Sequence, residues 1–158
     1  MTLTAPQGPA GGRVIETRVI VARVRDNPVG MVHRTCHDGL MNTILIVDDS
    51  AGFRVQARAL LTAEGFEVVG EAADGRSGLE AARTLRPQLV LLDIGLPDVE
   101  GFEVARELAV DGPPPFVVLT SSREAGAYGP RLAESRVLGF IPKDELSGAA
   151  IRALLPVP

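Results

Sequence analysis

The chain has 158 residues, 46% of them hydrophobic and 23% charged, a balance that describes one globular domain with some excess length. A single cysteine, Cys36, excludes an intramolecular disulfide framework and a cysteine-built metal cluster, and no apolar run approaches the roughly 18 residues that would cross a bilayer. The formal net charge is −4, and it is uneven: residues 1–40 hold five arginines against Glu16, Asp26 and Asp38, so the remainder is acidic and a poor candidate for unaided nucleic-acid binding.

Residues 1–40 open with Pro6, Gly8, Pro9, Gly11 and Gly12, which resist regular structure. Val14 to Arg25 has the composition of one or two short strands, broken by Asn27-Pro28, and nothing there supplies a second core. The composition change at Met41 predicts that residues 41–158 form the domain, and that residues 1–40 are a disordered arm or an extension upstream of the true start. His33 and His37 are four apart, but their segment is not convincingly helical, which disfavours a metal pair. With no signal-peptide core at the N-terminus, the expected setting is cytoplasmic. Lys143-Asp144-Glu145-Leu146 spells a retention signal, but an internal one carries no such meaning.

From Met41 the text alternates. Thr43–Val47 is a short β-branched run that predicts a buried strand, followed by a helix over 50–64 with Phe53, Ala57, Leu60 and Leu61 at helical spacing. Strands are predicted at 66–69, 89–92, 116–119 and 137–141, and helices at 75–85, 99–109, 123–135 and 144–155. The fourth helix is weak, because Gly126, Gly129 and Pro130 fall inside it. Five strand–helix units with near-continuous apolar strands predict an α/β fold, a doubly wound parallel sheet covered on both faces by five helices. The flavodoxin-like order 2-1-3-4-5 places ligand chemistry outside the carboxyl ends of the strands.

Those ends are polar. Strand one ends in Asp48-Asp49, strand three in Asp93, strand four in Thr120-Ser121-Ser122, and strand five runs through Phe140 and Pro142 to Lys143. Lys143 is the only lysine beside fifteen arginines, which suggests a position that the wide guanidinium fork cannot fill. Three clustered carboxylates repel one another unless a cation sits among them, and Mg²⁺ (or Mn²⁺) suits carboxylates, waters and a phosphoryl oxygen. An ammonium and a hydroxyl facing the same anion would stabilise a transferring phosphoryl group, with the remaining carboxylate as nucleophile. Plainer readings stand beside these. Asp48-Asp49 could be a helix cap, Asp93 a turn former, Thr120 to Ser122 caps for the fourth helix, and Phe140 simple core.

At these residues the chain resembles the receiver domain of two-component response regulators, of the stand-alone type. Ile46-Val-Asp-Asp-Ser50 is similar to the family's acidic pair, and Leu91-Leu-Asp-Ile-Gly-Leu-Pro-Asp-Val-Glu-Gly101 to its phosphorylation loop. Leu119-Thr-Ser-Ser122 and Gly139-Phe-Ile-Pro-Lys143 are similar to its hydroxyl and lysine segments. The resemblance implies that Asp93 accepts phosphate from a sensor histidine kinase. It implies that Asp49 binds Mg²⁺ directly, Asp48 mostly through water, and Gly95 through its backbone carbonyl. It implies that Lys143 pairs with Asp93 and then the phosphoryl group, that Thr120 moves toward that group, and that Phe140 swings inward as it does.

Three departures matter. Asp144 follows Lys143 where the family often has proline. Gly95 and Ser122 are small, which leaves water free to reach the phosphoryl group and implies a short lifetime. The weak fourth helix should be easy to remodel. Only fifteen residues follow Lys143, enough for the last helix, which implies action by contact with a downstream protein and no enzymatic activity beyond the domain's own phosphotransfer and dephosphorylation. Direct DNA or membrane binding is not expected. The alternatives are a degenerate receiver that works without phosphorylation, and a metal-dependent phosphotransfer enzyme or phosphatase on a similar fold. The latter would need a second acid near the nucleophile, where Gly95 stands.

Overall fold

The computed structural model describes residues 43–156. The readings at residues 1–40, at His33 and His37 and at the Met41 start lie outside the described residues. Five strands, β1 (Thr43–Val47), β2 (Glu67–Ala72), β3 (Leu89–Asp93), β4 (Phe116–Ser121) and β5 (Gly139–Pro142), form one sheet in the order β2-β1-β3-β4-β5. Every pairing is parallel. The interleaved helices are α1 (Ala51–Ala63), α2 (Gly75–Leu85), α3 (Gly101–Val110), α4 (Gly129–Glu134) and α5 (Gly148–Leu154).

The apolar runs of the sequence are the strands because both sheet faces are covered. All five residues of β3, the central strand, are buried. Period-two alternation then divides the core. Leu45, Val47, Val90, Leu92, Leu119 and Phe140 face one layer, with Leu79 of α2, Val104 of α3 and Leu132 of α4. Ile44, Ile46, Leu89, Leu91, Val118 and Ile141 face the other, with Ala57 and Leu61 of α1 and Ile151 of α5. Among the described residues no helix is long and apolar enough to cross a membrane.

Three predicted elements differ. In the first helix Leu60 is 38% exposed, while Ala57 and Leu61 are buried; Leu60 lies at the flank of the apolar stripe. The predicted helix over 123–135 is a short 3₁₀ turn at Ala125–Ala127 followed by the six-residue α4. Gly129, the first residue of α4, takes φ +38, a left-handed conformation that breaks a continuous helix and that glycine tolerates. The predicted helix over 144–155 starts later, because Lys143–Glu145 forms a 3₁₀ turn and Ser147 caps α5 by accepting from the Ala150 N–H at 3.0 Å. The small differences elsewhere are of strand and helix ends.

Candidate functional site

β1 delivers Asp48 and Asp49 to the carboxyl edge, and the adjacent Ser50 frees them from capping work. Ser50 is the N-cap of α1, its Oγ accepting from the Phe53 N–H at 3.3 Å. Asp48 is fully buried, and its Oδ1 accepts from the Ser50 N–H at 2.8 Å. Arg54 also reaches this strand end, donating to the Asp48 carbonyl oxygen at 2.6 Å. One turn of α1 returns Arg54 to the edge.

β3 and β4 run in register so that Asp93 sits opposite Thr120. Asp93 is 4% exposed and Thr120 1%. The Gly95 N–H donates to Asp93 Oδ1 at 3.3 Å. The loop after Asp93 turns back tightly, with the Gly101 N–H donating to the Ile94 carbonyl at 2.9 Å. A Cβ at Gly101 would run into the Asp93 carbonyl oxygen and stand 2.8 Å from the Ile94 Cα, so only glycine fits. Asp98 ties the loop tip to α2, accepting from the Gly75 N–H at 2.7 Å and the Arg76 N–H at 3.0 Å. These amide donors hold the Asp98 carboxyl down to about 2.

β5 ends at Pro142 and places Lys143 across the edge. Its Nζ lies 2.6 Å from Asp48 Oδ2 and 3.4 Å from Asp93 Oδ2, and 4.7 Å from the centre of the Phe53 ring. Burial opposes the charge on Lys143, but the two carboxylates outweigh it and raise its pKa. Burial, then the neighbouring Asp48, push the Asp93 carboxyl above its ordinary value, against Lys143 and the Gly95 amide. One oxygen each of Asp48, Asp49 and Asp93 lies within 4.8 Å of the others. This set fits a divalent cation such as Mg²⁺: its donors are hard oxygens, and Asp93 carries a like-charge strain that a cation would relieve.

The structure therefore brings Asp48, Asp49, Asp93, Thr120 and Lys143 to one strand edge. Asp49, Asp93, Gly95, Ser122 and Lys143 line one cleft there. Thr120 Oγ1 is buried and without a hydrogen-bond partner. Neither Thr120 nor Ser121 caps α4, whose N-cap is Tyr128 with no side-chain bond. Phe140 is 4% exposed and belongs to the core layer behind the cleft, its ring 5.9 Å from that of Tyr128.

Sequence reasoning missed Tyr128, Glu100 and Arg131. Tyr128 lines the cleft, pairs with Ser121 Oγ at 2.7 Å, and lies 5.9 Å from Phe102 as well. Glu100 also lines the cleft and is held by Arg131 in two bonds, at 2.8 and 2.6 Å, while Arg131 stacks over Phe102 at 4.3 Å. The Arg131 bonds are the main reason the Glu100 carboxyl is held below its usual range. Tyr128 carries one sequence signal, as the only tyrosine of the chain. Glu100 and Arg131 are 31 residues apart and carry none.

Residues 44–154 match the response regulator receiver domain. BvgA of Bordetella pertussis, named as a transcription regulator of virulence factors, is 39% identical over 106 residues, covering 67% of this chain and 51% of that protein. The transcriptional regulatory protein PdtaR of Mycobacterium tuberculosis is 33% identical over 120 residues, covering 70% of this chain and 58% of that protein. The signal receiver domain of NarL from Mycobacterium tuberculosis superposes with a TM-score of 0.64 at 30% identity, covering 72% of this chain and 92% of that one. The chain thus spans little more than half the length of these curated relatives.

Proposed function

This chain belongs to the family of response regulator receiver domains, and from that premise we propose that it is a phosphorylation-controlled interaction module whose phosphoacceptor is Asp93. The observation that carries the reading is the convergence of Asp93, its two acidic neighbours and the chain's only lysine within one cleft edge. In the proposed step an Asp93 carboxylate oxygen attacks the phosphorus of a kinase phosphohistidine. A P–O bond forms, the P–N bond breaks, and the imidazole leaves with the electron pair. Mg²⁺ (or Mn²⁺), held by Asp49, the Gly95 carbonyl, Asp93 and less directly Asp48, would supply charge compensation for the phosphoryl oxygens.

The chain's own residues do the rest. Lys143 already spans Asp48 and Asp93, so its ammonium is in place to meet a phosphoryl oxygen on Asp93. Thr120, beside Asp93 in the sheet and with its hydroxyl unpartnered, has a donor to offer the same group. The side chains of Asp48 and Asp93 are nearly excluded from water, which strengthens these interactions. Exposed Gly95 and Ser122 leave water access to the mouth, which supports a short phosphoryl lifetime. Hydrolysis would then return the carboxylate and inorganic phosphate.

The downstream event is a change of protein contact around α4 and β5, with Phe140 following Thr120 and a histidine kinase as the donor. We assign no enzymatic output and no DNA contact to the acidic domain itself. The test is incubation with acetyl phosphate and Mg²⁺ followed by intact mass. One phosphoryl adduct should appear on the wild type, and none on Asp93→Asn. An unmodified wild type would leave the phosphorylation-independent reading.

A further inference from the structure

Thr120 and Ser121 are adjacent in β4, so their side chains leave opposite faces of the sheet. Thr120 shares its register position with Asp93. Ser121 points to the other layer, where its Oγ meets the Tyr128 hydroxyl at 2.7 Å. The same Oγ accepts from the Arg123 N–H at 3.0 Å, closing the turn that carries Ser122. Ser121 is 5% exposed, and Tyr128 is wedged between Phe102 and Phe140. One tyrosine hydroxyl therefore holds the backbone immediately after the hydroxyl that faces Asp93.

We propose that Tyr128 is a positioning residue that acts through Ser121 on Thr120, holding the β4–α4 turn in the arrangement where Thr120 is disengaged from Asp93. The inference rests on the reading of Asp93 as phosphoacceptor. Two observations support the direction. Thr120 Oγ1 makes no hydrogen bond in this arrangement, so the hydroxyl itself is free to turn, although the Ile94 N–H holds the Thr120 carbonyl at 3.0 Å. The restraint lies on the opposite face, in a partly buried bond to Tyr128, the N-cap of a helix of only six residues. For Thr120 to approach a phosphoryl group, residue 121 must move with it, and the Ser121–Tyr128 bond must lengthen or break. A hydrogen bond made in one state and lost in the other biases the equilibrium toward the first. Release of Tyr128 also frees the ring that lies against Phe140, which connects the cleft to α4.

The test is titration of the full chain with beryllofluoride, a phosphoryl mimic, in saturating Mg²⁺, followed by backbone amide resonances of Gly95 and Lys143. Tyr128→Phe keeps the ring stack and removes only the hydroxyl; Ser121→Ala removes its partner. Each should bind about two- to tenfold more tightly than wild type, the worth of one net hydrogen bond. The double variant should bind no more tightly than the singles, because both break the same bond. In the wild type, the intrinsic fluorescence of the only tyrosine should change on binding. A purely structural role would lower the melting temperature of both variants and leave the affinities equal to wild type, which overturns the inference while leaving Asp93 as acceptor. Weaker binding by the variants overturns it too, by placing the bond in the engaged state. A wild type that binds no beryllofluoride overturns the phosphoacceptor reading itself.

Discussion

The ammonium of Lys143 sits closer to Asp48 than to Asp93, at 2.6 against 3.4 Å. The resemblance implies a Lys143–Asp93 pair; the structure shows a bridge weighted toward the other carboxylate. Asp48 is the more buried of the two, with a side chain 1% exposed, and has the greater need of a counter-charge. Asp93 is left with the longer contact to the lysine, which suits its proposed role as the group that attacks phosphorus.

Lys143→Ala should therefore cost more stability than a surface ion pair. It strands the buried Asp48 carboxylate, a loss of about 3 kcal/mol seen as a lower melting temperature. Lys143→Arg keeps the charge, yet its planar fork must share the space with the Phe53 ring, 4.7 Å away. It should accept a phosphoryl group by intact mass but fail to show the amide shifts of switching. Normal switching by the arginine variant would mean that the lone lysine is an accident of composition.

Asp93 predicts a pH dependence. Its folded pKa is raised above 3.8, mainly by burial and then by Asp48. Such a group leaves stability whole below its unfolded pKa, and that contribution is lost as pH rises through the folded value. At neutral pH in chelator, Asp93→Asn removes this penalty and should melt above wild type. The gap should narrow on acidification toward about pH 4, and on addition of Mg²⁺ to the wild type. A variant that melts lower at neutral pH would show that attraction to Lys143 outweighs burial.

Gly101 lies eight residues after Asp93, at the end of the same loop, and its missing side chain makes room for the Asp93 backbone. Gly101→Ala should destabilise the domain by about 2 kcal/mol through this overlap. It should also slow phosphoryl uptake from acetyl phosphate, because the acceptor is displaced. Thermal melts and adduct growth by intact mass check the two effects separately.

Ser122 is exposed at the cleft mouth. If water enters past it, a bulky apolar replacement such as Ser122→Leu should slow loss of the phosphoryl group by about tenfold, equivalent to ~1.4 kcal/mol of barrier. Phosphate-release kinetics give the rate. A wild-type half-life of many hours would contradict the open-mouth reading.

The strand order and the site's carboxylates, hydroxyl and lysine were legible in the residues alone. Buried parallel strands need unbroken apolar runs, so their ends announce themselves as the first polar residues, and Asp48, Asp49, Asp93, Thr120 and Lys143 stand there. Local chemistry marked the weak fourth helix as well, through Gly126, Gly129 and Pro130.

What that reading could not supply was partnership. Ser50, and neither Asp48 nor Asp49, took the cap of α1. Asp98 bonds to amides 23 and 22 residues away, Arg131 to a carboxylate 31 away, and Tyr128 chooses Ser121 across a sheet face. Lys143 divides itself unequally between two acids. Apolar periodicity determines which residues reach the edge because burial is a property of each strand. Which polar atoms then meet depends on register, twist and helix seating, set by packing of the entire domain.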